Sequence, residues 1–214
     1  MTELDAGRVG STSMATGGGR DPGWGYALRH SWLDLLLPFP QLWLWRAARK
    51  GLDSLTTLRA LYVVGIEVVA LITLLLWVIQ GDPSGEASIE PEVFLAALVV
   101  VGLGELFLIH HLFHKPLEAA TPEKLAEAYR ARTIVGWSLS LALFLIGFVG
   151  SFVTNEWTMV FAGIAAAAAG TWMTAPTRAR LAAAQNDLTA QGSSLDLADA
   201  LVSTPFSTAR RRST

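Results

Sequence analysis

The 214 residues are 52% apolar and only 16% charged, more apolar surface than a soluble core of this length hides, so the composition points to a membrane protein. A net charge of −2 conceals a strong segregation of basic residues and gives no reason to expect nucleic acid as a partner. The absence of cysteine excludes disulfides and thiolate chemistry.

In chain order, residues 1–23 are rich in Gly, Ser and Thr and lack the apolar core of a signal peptide, so a disordered N-terminal tail is expected. Residues 24–50 place Trp24, Trp32, Trp43 and Trp45 among leucines, but Asp34, Pro38 and Pro40 interrupt any full span. The segment is therefore expected to lie in the membrane interface, with indole rings at headgroup depth and Arg46, Arg49 and Lys50 near anionic lipid. The competing expectation is that these aromatics pack on the protein's own helices.

A transmembrane domain is expected over 51–176. A helix rising ~1.5 Å per residue needs roughly 20 apolar positions to cross a ~30 Å hydrocarbon layer. Four stretches qualify, at about 60–79, 93–112, 133–153 and 157–173. Pro91 suits a first helical turn, Pro116 and Pro176 follow helix ends, and the short turn at Thr154, Asn155 and Glu156 forces the last two spans into a tight hairpin. All sixteen Lys and Arg residues precede the first stretch, separate the second from the third, or follow the fourth, whereas the other two connectors carry only acids. Basic residues are retained in the cytoplasm. The expected fold is thus all-α and polytopic, with four transmembrane helices as two antiparallel hairpins and both termini cytoplasmic, in a bacterial inner membrane. Trp77 and Trp157 mark the outer boundary, and Trp137 and Trp172 the inner one. Residues 177–214 are expected to form a cytosolic helix over 176–190 stopped by Gly192, a short helix over 195–202 capped by Ser194, and a basic tail.

Inside a bilayer, helices associate through close backbone approach at small residues. Gly136, Ser140 and Gly147 on the third span are expected to meet Gly163 and Gly170 on the fourth. Glu67 and Glu105 are the acids within spans and fall at similar depth, so they could face each other. Charged carboxylates are costly in hydrocarbon, and two neighbours would share a proton. The pair is a candidate protonatable site coupled to an ion or a cationic group; the plainer expectation is two carboxyls that hold helices together. His110, His111 and His114 close the second span. Glu105 falls on the opposite face from His114, and without cysteine a closed zinc site is poorly supplied, so these imidazoles are expected at the membrane interface with no bound metal.

No phosphate-binding loop, zinc-protease helix or nucleophile elbow is present, so no enzyme activity and no cofactor are expected. Residues 132–149, reading RTIVGWSLSLALFLIGFV, resemble the second helix of the rotary ATP synthase c subunit. That family carries its ion-binding carboxylate a few positions before a glycine equivalent to Gly147, and here Leu141 stands in its place, so the resemblance implies packing and no ion translocation. The chain also resembles four-span bacterial membrane proteins of unknown function, which implies a fold only. The leading expectation is a non-enzymatic membrane component whose partners are the lipid bilayer and either a second copy or a larger membrane complex. The alternatives are a small transporter or proton-coupled channel component using Glu67 and Glu105, and a lipid or envelope-stress sensor using Trp43 and Trp45.

Overall fold

The computed structural model describes residues 21, 23–31, 52–80, 89–117 and 119–206. Among them the chain is helical apart from loops and one isolated bridge between Asp53 and Pro205. The helices are α1 (Gly23–Ser31), α2 (Ser54–Gln80), α3 (Pro91–His114), α4 (Pro122–Thr154), α5 (Trp157–Thr174), α6 (Arg178–Ala190) and α7 (Leu197–Ser203). Three of them, α2, α3 and α4, are long and apolar enough to cross a membrane. A fourth crossing is reached if α5 and α6, bent by 49° at their junction, count as one broken span.

Local chemistry sets the helix boundaries. Both carboxylate oxygens of Asp53 engage Thr56, accepting from its N–H and its hydroxyl at 2.7 Å each, and this starts α2. Thr121 caps α4 with Pro122 at the first helical position, and α4 ends where Asn155 turns left-handed at φ 55°. The helix begins well before the span expected at 133. Its 33 residues rise about 50 Å, beyond a ~30 Å hydrocarbon layer, so the first turns project from the apolar zone.

The segment after α5 differs from expectation in detail. Pro176 stays outside α6, and Thr177 caps it by accepting from the Arg180 N–H at 3.4 Å. The cap of α7 is Asp196 rather than Ser194, because its carboxylate accepts from the Asp199 N–H at 2.9 Å. Leu195 is held out of the helix: its N–H donates to the Ser193 hydroxyl and its carbonyl accepts from Gln185 Nε2 at 3.0 Å. Gln185 Oε1 also accepts from the Leu197 N–H at 2.7 Å, which pins α7 to α6.

The pair α4 and α5 forms the centre of the bundle. Helix α3 lies against both, while α2 lies mainly along α4, with α1 against α2. Helices α2 and α3 have no packing face in common. Beyond the apolar zone, Leu55 and Leu58 of α2, Leu125 and Tyr129 of α4, Leu181 and Leu188 of α6, and Leu197 and Leu201 of α7 converge in a second buried cluster. Helices α6 and α7 therefore dock onto the projecting part of α4 and do not hang as a tail.

Candidate functional site: two separated acids and an arginine-rich rim

The α4–α5 contact brings backbone onto backbone at Gly147 and Gly163, and side chain onto glycine further along. A Cβ built on Gly147 would lie 2.5 Å from the Met159 carbonyl oxygen and 2.7 Å from Gly163 Cα. Further along, a Cβ on Gly170 would meet Ser140 Oγ at 2.5 Å, and one on Gly136 would meet Thr174 Cγ2 at 2.6 Å. As residue numbers fall on α4 they rise on α5, the order of antiparallel neighbours. The hydroxyls in this seam are spent within their own helices: Ser140 donates to the Gly136 carbonyl at 2.9 Å, and Thr174 donates to the Gly170 carbonyl at 3.0 Å. No polar group of the seam is left seeking a partner in hydrocarbon.

The structure does not bring Glu67 and Glu105 together. Leu98, Gly102, Glu105 and Ile109 form one stripe of α3, spaced four, three and four residues apart. That stripe faces the central pair, since a Cβ on Gly102 would touch Leu143 at 3.7 Å and Ile109 Cδ1 sits against Gly170. Glu105 thus points inward, and its buried Oε2 has no hydrogen-bond partner among the described residues. Glu67 points the other way. It shares a face of α2 with Leu71, Leu74 and Val78, which are 49% to 67% exposed, while Gly65, Val69, Ile72 and Leu76 form the face turned to α4. Glu67 makes no hydrogen bond or ion pair among the described residues.

The opposite chemistry concentrates at the rim where α2 and α4 begin and α3 and α5 end. Arg59 is fully buried and grips Asp21 through both carboxylate oxygens, with Nη2 at 2.9 Å from Oδ2. Its Nε donates to the Pro176 carbonyl at 3.3 Å and its guanidinium lies 5.6 Å from the centre of the Trp24 ring. Arg178 adds a second contact to Asp21 at 3.2 Å. The Arg59 hydrogen bond chiefly holds the Asp21 carboxyl down at about 2, against the opposing effect of burial and with help from the Gly23 N–H and Arg178. Asp21 falls within the N-terminal stretch expected to be disordered, yet it fastens α1, α2 and the α5–α6 bend at one point.

Three further arginines bind carbonyls. Arg132 donates to the carbonyls of Phe113, Lys115 and Pro116 at the end of α3, and Arg180 donates to the Trp172 carbonyl near the end of α5. A guanidinium at a helix C-terminus satisfies orphan carbonyls and complements the helix dipole. Arg130 donates to the Ser54 hydroxyl and to the carbonyls of Pro205 and Phe206, tying the end of the described chain to the start of α2. None of these roles was singled out in the sequence, where the arginines served only to orient the helices. Arg180 follows Pro176 by four residues, a local signal that a cation stands near the end of α5, whereas Arg130 and Arg132 lie within α4 and reach their carbonyls only through tertiary packing.

Among the sequence candidates for the interface, Trp24 is half-buried within the protein. It packs beside Arg59 and lines a cavity of about 320 Å³ with Tyr62, Trp137 and Trp172. Trp32, Trp43 and Trp45 lie outside the described residues. Trp77 and Trp172 are strongly exposed, whereas Trp137 covers Gly65 on α2. His110 and His114 stack with ring centres 3.9 Å apart, and His114 Nδ1 lies 2.8 Å from the His110 carbonyl, which assigns the proton to that nitrogen. His111 is exposed on the same helix end. No group of three His, Asp or Glu residues with metal-binding geometry occurs among the described residues.

Long apolar helices, a glycine-built seam and polar groups gathered at one rim define an all-α polytopic membrane protein. No family model, curated protein or solved structure matches the chain. None of these comparisons supports the resemblance of residues 132–149 to the c subunit, and Leu141 lines the Trp24 cavity.

Proposed function

We propose that this protein is a non-enzymatic assembly component of a bacterial cytoplasmic membrane that pairs with a second copy through the Glu67 face of α2. The observation that carries the reading is a carboxyl group on the outward face of an apolar helix with no hydrogen-bond or ion-pair partner among the described residues. Such a group costs on the order of 3 kcal/mol near the centre of a membrane helix unless something covers it. No Lys or Arg of this chain lies within the apolar stretches, so a second copy offers no cation; it offers Glu67 itself. Glu67, Leu71, Leu74 and Val78 follow the four-three-four spacing of a coiled-coil seam, and a two-fold axis along the bilayer normal would set the two carboxyl groups side by side at one depth. Sharing protons, they satisfy each other's hydrogen bonds and fix the register. Leucine alone supplies little incentive to associate in lipid, so the acid decides whether pairing occurs.

The test is the mass of the protein reconstituted in lipid particles. Wild type and Glu67→Gln, which retains the hydrogen bonds, are expected to be dimers, and Glu67→Leu is expected to weaken pairing by about tenfold, the ~1–2 kcal/mol of an interhelical hydrogen bond in a membrane. A wild-type monomer at every protein-to-lipid ratio contradicts the proposal. The reading as a proton-coupled transporter loses its main support, because Glu67 and Glu105 diverge within one chain.

The basic rim supports an orientation with that end in the cytoplasm. The chain has no cysteine, so single-cysteine variants report without background. Glu90→Cys should react with an impermeant maleimide on intact cells, and Ala120→Cys only after permeabilisation. The reverse pattern would invert the topology.

A further inference from the structure

Between the end of α3, the projecting part of α4 and α6 lies a polar cavity of about 230 Å³ lined by Lys115, Tyr129, Arg132, Arg180, Asp187 and Gln191. Directly beside it runs an apolar groove of about 430 Å³ lined by Leu112, Leu117, Ala131 and Val135. The two share Pro116, Leu117 and Arg132. We propose that this paired cavity and groove is a binding site for an anionic phospholipid, with the phosphate between Arg132 and Arg180 and an acyl chain along α3 and α4 toward Val135.

Three features carry the assignment. Arg132 and Arg180 have no carboxylate within ion-pair distance among the described residues, and the acid lining the cavity is Asp187, so cationic charge is in excess there. Arg132 is fixed in place by the carbonyls of Lys115 at 2.6 Å and Pro116 at 3.3 Å, and Arg180 uses Nε on Trp172 while its terminal nitrogens make no hydrogen bond among the described residues. Such pre-set guanidinium forks match phosphate oxygens better than mobile lysines do. The site also sits at the depth where a headgroup passes into hydrocarbon, because α3 ends at His114 and the apolar part of α4 begins just beyond Arg132. Basic pockets between membrane helices take lipid headgroups by this chemistry. A soluble phosphate compound shares the headgroup chemistry but has no use for the groove.

The inference needs the helices to lie in a bilayer, but it does not depend on pairing through α2. The experiment is competition for the purified full-length protein between phosphatidylglycerol and phosphatidylcholine, read by native mass spectrometry as lipid adducts, with inorganic phosphate as a separate addition. Wild type is expected to retain phosphatidylglycerol preferentially, and Arg180→Gln to reduce that preference about fivefold, the effect of one basic residue near a membrane surface. Ala131→Phe, at an exposed position, fills the groove without altering charge and should reduce retention as well. Equal retention of both lipids by wild type overturns the proposal. So does displacement by inorganic phosphate together with indifference to Ala131→Phe, which would assign the cavity to a soluble phosphate.

Discussion

Gly147→Leu is expected to destabilise the α4–α5 pair by about 3 kcal/mol or more, the largest loss from any single change in the apolar zone. The added side chain would have to occupy space held by the Met159 carbonyl and by the Cα and N of Gly163. Those are backbone atoms of a helix, so no rotamer change relieves the clash and the helices must separate. Separation then exposes the hydroxyls of Ser140 and Thr174 and strips α3 of the surface on which its Glu105 stripe rests. Gly104→Ala is the matched control, because a Cβ there meets nothing within 4 Å, and the substitution should be neutral or slightly stabilising through helix propensity. Thermal unfolding in detergent, followed by helical circular dichroism, distinguishes the two; equal melting temperatures for the two variants would show that the seam is not held by contact.

The second large effect belongs to Arg59. Arg59→Met leaves Asp21 nearly buried with only the exposed Arg178 beside it, and frees α1 and the α5–α6 bend together. Breaking a buried pair by removing one member typically costs about 3–5 kcal/mol. The double variant Arg59→Met with Asp21→Leu should be milder than Arg59→Met alone, because no uncompensated charge remains. The pair also imposes a pH dependence. Asp21 is held at about 2 in the folded protein against an ordinary 3.8, so its contribution is present in full above pH 4 and fades as pH falls through about 2. Solvent near the exposed Arg178 limits this contribution to on the order of 1 kcal/mol. Wild type should lose melting temperature across that window, and Arg59→Met should lose much less; parallel losses in both would assign the acid sensitivity elsewhere.

What could be read from the chain, and what could not, follows from the range of the interactions concerned. Apolar length is a local property, so the three long apolar helices α2, α3 and α4 are legible in the sequence, although α2 begins at Ser54, ahead of its apolar stretch. The start of α4 lies ahead of the hydropathy boundary at 133, because Thr121 and Pro122 begin the helix in a polar stretch that apolar length does not report. The small residues of α4 and α5 carry a packing signal because close approach demands glycine on at least one side of each contact, and on both sides at Gly147 and Gly163. The relation of Glu67 to Glu105 carries no such signal. Depth along a helix can be counted, but the face a residue presents depends on which neighbours its helix chooses, and α2 and α3 choose α4 and α5 rather than each other. The Asp21–Arg59 pair spans 38 residues, a connection that no periodicity encodes.

The pairing of two copies through α2 is tested most directly by cysteine cross-linking in native membranes. Leu71→Cys and Leu74→Cys, on the Glu67 face, should form disulfide-linked dimers on mild oxidation, while Val100→Cys and Phe107→Cys, even more exposed on α3, should remain monomers. Adding Glu67→Leu should abolish the α2 cross-links and Glu67→Gln should preserve them. Cross-links that form as readily on α3, or α2 cross-links indifferent to Glu67→Leu, would contradict the account.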